Sequence, residues 1–355
     1  MIKKQVVLLA GFLLLVVFVP FGKYEGVAAG ETAVSQPPPF LIQANHTIQA
    51  GNQTFPNLAT YVQSDYFQQN GLRCGTQTPP ELLTQTATPG DCTLSQTILQ
   101  SEYWLGTQTY LIIPVVFHVI TKSDGTGNLS DQTIRDQIDV LNRDFAGMDA
   151  SVVGTDVRVQ FKLEAITRTT NDSWFNDTSE FAYKSALAWD PNKYLNIYSN
   201  AASGYLGYAY FPQSAAGTWY DGVVVLYQAV GGRNQGFYPY DQGRTLVHEI
   251  GHYLGLYHTF EGGGCYSGYT GGDLIDDTNS ENTAHYSCSA PSSSCGTPDP
   301  LDNFMNYTND ACMTRFTHEQ ANRMVCSILN YRPQLYTRID LFALTERTYL
   351  PAVSR

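Results

Sequence analysis

Between residues 110 and 120 the chain is almost entirely apolar and rich in β-branched side chains, which predicts a buried central strand. His118 falls inside it and is expected to be a hydrogen-bonded core residue, not a metal ligand. Ser130 offers an N-cap for a helix over 131–143, where Ile134, Ile138 and Leu141 recur at helical spacing. Residues 157–166 alternate as a second strand, 180–188 suggest a short helix, and 194–199 and 222–227 read as further strands. Between those two strands, residues 204–218 are rich in Gly, Tyr and Ala and are read as a loop with an edge strand. Leu246, Ile250, Tyr253 and Leu254 mark a helix over 244–254. Residues 259–301 lack periodicity, so a loop of that length needs staples or ions. Thr317 then caps a last helix, 318–330, with Ala321, Met324, Val325 and Leu329 on one face. Residues 30–100 are rich in Gln, Thr, Pro and Gly; only 65–71 suggest a helical turn, and Pro37, Pro38 and Pro39 read as an extended linker.

A chain of 355 residues allows one large domain with accessory segments. Its net charge of −12, with Lys and Arg scarce, argues against binding nucleic acid or an acidic membrane surface. Residues 1–29 resemble a secretory signal peptide: Lys3 and Lys4, an apolar run over 6–20, then Val27, Ala28 and Ala29 before a cleavage point. That run is shorter than the roughly 20 residues that span a bilayer. The expectation is a secreted monomer with no stable membrane association.

The candidate chemistry lies at His248-Glu249-Ile250-Gly251-His252-Tyr253-Leu254-Gly255-Leu256-Tyr257-His258, an H-E-x-x-H-x-x-G-x-x-H pattern. On a helix His248 and His252 are one turn apart on one face and can share a metal ion. Gly255 can take the φ > 0 conformation that ends a helix, so His258 can approach from another direction. Three imidazoles leave one position of a tetrahedral zinc site open for water, and Glu249 is placed to act as general base and acid.

These residues resemble the metzincin metallopeptidases, and the wider wording is similar to the pappalysin family, especially its small secreted ulilysin-type members. The similar stretches are 113–120, 131–145, 194–198, 222–227, 243–260 and 299–324. The resemblance implies a mixed α/β (α+β) domain. A twisted, mostly parallel sheet would carry the zinc-binding helix, followed by an irregular, disulfide-stapled C-terminal part. It implies a secreted zinc endopeptidase acting on proteins or peptides and made as a latent precursor. Zinc would be held by His248, His252 and His258, with Met305 in a turn beneath the imidazoles and Tyr307 donating to the oxyanion. Leu72-Arg73-Cys74-Gly75-Thr76 resembles the family's R-C-G cysteine switch, in which Cys74 closes the open zinc position. The alternative is a Cys74–Cys92 disulfide. This chain departs from the family in one respect: no Lys or Arg lies between Cys74 and Lys122, so a self-activating basic cut has no evident site there.

Asp273, Asp277 and Thr278 resemble the family's calcium-binding G-D-x-x-x-D-T segment, so structural Ca²⁺ is expected; the alternative is a solvated acidic loop. Four loop cysteines permit three connectivities, of which the family pattern implies Cys265–Cys295 and Cys288–Cys312. Cys326 is either buried and free or paired with Cys92. The expected organisation is 1–29 signal peptide, 30–100 pro-segment, 101–335 catalytic domain and 336–355 a tail of no assigned role. The rival functions are a catalytically silent peptidase-like scaffold, a calcium-dependent adhesion module and a metzincin of another family. The intact Glu249 and three His argue against the first.

Overall fold

A computed structural model of the chain describes residues 40–77, 92, 109–148, 154–232, 236–266, 268–269, 271–288 and 292–340. The expected signal peptide, the Pro37–Pro39 linker and the tail beyond residue 340 lie outside them.

Among the described residues the main sheet has six strands. β4 (Thr109–Thr121) lies between β5 (Val159–Thr170) and β6 (Leu195–Asn200), and all three run parallel. β8 (Val223–Leu226) continues the parallel set, and β7 (Gly207–Ala209) closes that edge antiparallel to β8. β9 (Thr337–Asp340) adds antiparallel to the start of β4, so the stretch assigned to a tail begins as part of the sheet. Strands β4, β6 and β8 are buried along most of their length, as expected of a parallel sheet covered on its faces. His118 is buried; its Nδ1 meets Thr167 Oγ1 at 2.8 Å and its Nε2 meets Asn196 Oδ1 at 3.0 Å. Burial lowers its pKa to about 4, which keeps it a neutral core residue.

Helices fill the space around this sheet. α3 (Asp131–Phe145) is capped by Ser130 and packs on β5, burying Ile134, Ile138 and Leu141. α4 (Asp172–Phe175), α5 (Glu180–Leu187) and α6 (Pro212–Ala215) are short. α7 (Arg244–Tyr253) packs against β7, β8 and α3, and it is buried throughout. α8 (His318–Tyr331) opens on a Thr317–Gln320 capping box. Arg332, just past its end, makes a two-pronged buried pair with Asp221 (2.8 and 3.1 Å) and donates to Tyr253 O at the end of α7. That pair joins the last helix to the mouth of β8 and to α7. Among the described residues, no helix is long and apolar enough to cross a membrane.

Residues 40–70 are more ordered than their composition suggests. β1 (Phe40–Ile42), β2 (Ile48–Ala50) and β3 (Gln53–Phe55) form a small antiparallel sheet. α1 (Leu58–Val62) and α2 (Asp65–Gln69) follow, capped by Asn57 and Ser64. Ile42, Ile48, Tyr61 and Phe67 are buried in the same core as the main sheet. The short spacing of these apolar residues hides them from periodicity, because each element is a single turn or three residues.

Candidate active site

Helix α7 begins with Gly243 in the left-handed region and no side-chain cap of its own. A remote carboxylate substitutes: Asp310 Oδ2 accepts from Gln242 N (2.9 Å) and Arg244 N (3.2 Å), where the helix dipole favours an anion. His248 and His252 project from one face of α7, and Gly255 (φ +96°) turns the chain so that His258 joins them. A Cβ at Gly255 would meet Ser327 Oγ at 2.5 Å, so both the turn and the packing require glycine. The three imidazoles converge. His252 Nε2 is 3.1 Å from His248 Nε2 and 3.0 Å from His258 Nε2. His248 Nδ1 donates to Phe304 O and His252 Nδ1 to Leu256 O, each at 2.7 Å, which turns both Nε2 lone pairs inward. Burial holds His248 and His252 well below the ordinary imidazole range, so both are neutral. Neutral nitrogen lone pairs repel one another at this separation; a shared cation resolves the conflict, and three imidazoles suit zinc. Met305 packs against α7: a Cβ on Gly251 would come within 2.4 Å of its Sδ.

The residues around Cys74 cross this centre. Leu206 N donates to Leu72 O (3.3 Å), Gly75 N to Gly207 O (2.9 Å), and Ala209 N to Thr76 Oγ1 (2.9 Å). Residues 72–76 therefore run beside the edge strand β7 and parallel to it. Cys74 is a free, buried thiol, grouped with the three His so that their ligand atoms all lie within 4.8 Å of one another. Its Sγ donates to Glu249 Oε2 at 3.2 Å, and Thr76 Oγ1 donates to the same oxygen at 3.1 Å. Burial raises the Glu249 carboxyl to about 8, and burial followed by the Glu249 charge raises the Cys74 thiol. Tyr307 OH reaches Cys74 O at 3.4 Å, and its ring packs on His258 with centroids 4.9 Å apart.

Arg73 directly precedes the thiol in the same segment. Its guanidinium enters a buried pocket, with Nη2 3.8 Å from Asp310 Oδ1, the Tyr240 ring 5.0 Å below and Met313 Sδ at 3.9 Å. Both charges are fully buried, yet Arg73 Nε and Nη1 and Asp310 Oδ1 make no hydrogen bond. Nothing local in the sequence marks Asp310 as a pocket residue, because its partner lies hundreds of positions away.

Three disulfides join Cys92 to Cys326, Cys265 to Cys295 and Cys288 to Cys312. Cys92 is thus engaged with α8, and the alternative Cys74–Cys92 bond is not formed. In the loop, Asp273 Oδ2 accepts from Thr278 Oγ1 (2.6 Å) and its Oδ1 from Ile275 N (3.2 Å). Asp277 does not join them; its Oδ2 accepts from Glu319 N at the start of α8. The two oxygens of Asp273 and one of Asp277 thus have protein donors. The described residues bring a different trio together, Glu281, His285 and Asp299. No motif announced it.

Residues 178–329 match the family model described as pregnancy-associated plasma protein-A, peptidase family M43. An extracellular metalloprotease of Coccidioides posadasii is 37% identical over 260 residues, 71% of this chain and 87% of that protein. Mature mirolysin of Tannerella forsythia, solved with a cleaved peptide, is 32% identical with a TM-score of 0.55, covering 64% of this chain and 98% of that one. A promirolysin mutant from the same organism is 31% identical with a TM-score of 0.60, covering 74% and 96%.

If the three imidazoles share one ion, zinc added to the chelator-treated chain will raise its melting temperature by several degrees. At a free concentration of about 100 Kd the gain is about 2.7 kcal/mol. His252→Ala should remove the rise; a wild-type melt indifferent to zinc would contradict the site.

Proposed function

Because the chain belongs to the M43 peptidase family of pregnancy-associated plasma protein-A and is a zinc metalloendopeptidase, we propose that His248, His252 and His258 hold its zinc, that Glu249 moves the proton, and that residues 72–76 keep the precursor latent. The observation that carries this reading is the Cys74 thiol, whose sulfur lies within 4.8 Å of a ring nitrogen of each of the three His and 3.2 Å from Glu249 Oε2. That is where water and a substrate carbonyl have to meet. Zinc, when bound, supplies Lewis-acid chemistry, polarising the carbonyl and acidifying water. Glu249 accepts a proton from the attacking water and delivers it to the leaving amide nitrogen; the second water proton follows to the amine, so the two products separate as carboxylate and ammonium. Tyr307, free of Cys74 O once the segment leaves, donates its hydroxyl to the developing oxyanion. The backbone groups of Gly207 and Ala209 that now pair with residues 75–76 become available to an extended substrate.

Latency follows from the same contacts. The thiol takes the space of the water, and the parallel pairing along β7 covers the strand that would hold substrate. The solved pro-form and the larger share of this chain that it covers support the reading. The names of the extracellular relatives and the three disulfides support secretion into an oxidising compartment.

The pocket of Arg73 supports a substrate class. A guanidinium from the blocking segment lies against a buried carboxylate and an aromatic face, so the vacated pocket is suited to a basic side chain of the substrate. Asp310 would select it by charge, with Tyr240 as its floor.

Two outcomes test these readings. Cys74→Ala in the uncleaved precursor should raise peptide hydrolysis about tenfold or more, because the sulfur no longer excludes water; a variant no more active than the wild-type precursor would contradict the switch. Asp310→Asn keeps an oxygen for the α7 cap but loses the charge. In the activated enzyme it should lower kcat/KM for arginine-bearing peptides about 30-fold or more, and hydrolysis of neutral peptides far less. An unchanged preference would contradict the pocket assignment.

A further inference from the structure

We infer that Glu281 is a positioning residue for the metal centre, which deepens the zinc reading and rests on it. Glu281 comes from the irregular loop after His258 and is 1% exposed. Its Oε2 accepts from Thr259 Oγ1 at 2.8 Å, and both its oxygens accept from Asn306 Nδ2 at 3.0 Å. Thr259 is the residue after His258, and Asn306 stands between Met305 and Tyr307. Thr259 N also donates to Met305 O (3.3 Å), and Asn306 Oδ1 accepts from Tyr307 N (2.7 Å). One carboxylate therefore ties the chain carrying the third imidazole to the turn carrying Met305 and Tyr307. The other two imidazoles are aimed by backbone carbonyls at 2.7 Å. Among the described residues His258 has no such carbonyl contact: its Nδ1 is 3.6 Å from Glu261 Oε2, beyond hydrogen-bond length, and its ring packs on Phe260 and Tyr307, so its placement depends on the chain and the turn that Glu281 braces. Behind Glu281, His285 Nε2 lies 3.4 Å from its Oε1 and bonds Asp299 Oδ2 at 2.9 Å. Asp299 in turn accepts from Ser294 N and Oγ. With donors on the oxygens of both carboxylates, the trio serves as a brace and not as a second ion site.

The test measures zinc affinity by chelator competition, together with the visible spectrum of the cobalt-substituted protein. Glu281→Gln places an amide donor against Asn306 and Thr259; Thr259→Val removes one donor and leaves the rest of the loop intact. Zinc Kd should rise about 10- to 100-fold in the first and less in the second, with an altered cobalt spectrum and a far-ultraviolet dichroism like that of the wild type. Glu281→Asp should recover part of the affinity. If Glu281→Gln does not fold, Thr259→Val decides. Kd within twofold of wild type and an unchanged cobalt spectrum overturn the inference. A wild-type chain that binds no zinc overturns the metal reading and this inference with it.

A second observation stands independently. The Cys92–Cys326 disulfide joins a residue of the expected pro-segment to α8 of the catalytic domain. We propose that this bond makes Cys92 part of the active enzyme and decides which cuts can activate it, given the latency reading above. Hydrolysis of a peptide bond between Cys74 and Cys92 separates the thiol from the tether. Hydrolysis beyond Cys92 leaves the S–S bond untouched and the blocking segment covalently attached, at an effective concentration on the order of millimolar. The first stretch contains no Lys or Arg, so a basic-specific enzyme cannot make the productive cut itself, and a second protease of different specificity must.

Two full-length variants test this, each with one recognition sequence for a site-specific protease, placed between Gln77 and Cys92 or between Cys92 and Thr109. After cutting without reductant, the first should be active. The second should remain one disulfide-linked species at least tenfold less active, and adding Cys92→Ser with Cys326→Ser should restore it. Equal activity of both cut forms with the disulfide intact overturns the proposal; full activity before any cut overturns the latency reading and this proposal with it.

Discussion

Three imidazole nitrogens about 3 Å apart in a buried site, at least two of them on neutral rings, are the constraint on which the rest of the structure depends. Neutral lone pairs held that close repel unless a cation lies among them. Holding them there takes contributions from every part of the domain. The parallel sheet supports α7 through β8 and β7. Asp310 caps the helix from the far side of the sequence. Gly255 turns the chain, Phe304 O and Leu256 O fix two rings, and Met305 packs against Gly251 of the same helix. On the proposed reading the irregular loop is scaffold for His258 as much as connection.

The same constraint explains the form of the block. In the latent form proposed above, one sulfur blocks the centre only if that sulfur is held in place. The pairing of residues 72–76 with β7 provides the hold, and Arg73 adds an anchor at Asp310. Asp310 consequently has two roles: one oxygen caps α7 and the other faces the pocket. On the proposed reading, latency, substrate pairing and side-chain selection share one short strand and one carboxylate.

Much of this was legible in the sequence. The H-E-x-x-H-x-x-G-x-x-H run places its residues by local geometry alone, and α7 ends where Gly255 predicts. The long strands and helices have periods that extend over ten or more residues, and they appear within a few positions of where the pattern put them. What was not legible depends on contacts between distant positions. Arg73 meets Asp310, Glu281 meets Asn306, and Arg332 meets Asp221, each pair too far apart for any spacing rule. Residues 40–70 fold through elements too short to show a period, and β9 is recognisable only once β4 offers it an edge. Cys326 stayed ambiguous because cysteine spacing cannot choose a partner; the structure pairs it with Cys92.

The most direct test of the central claim compares the activated enzyme with its Glu249→Ala variant, measuring zinc content and hydrolysis of denatured casein in both. The account predicts about one zinc per chain in each and cleavage by the wild type alone, since the carboxylate moves the proton while the imidazoles hold the ion. Equal zinc with cleavage by neither, or cleavage that survives loss of the carboxylate, would contradict it.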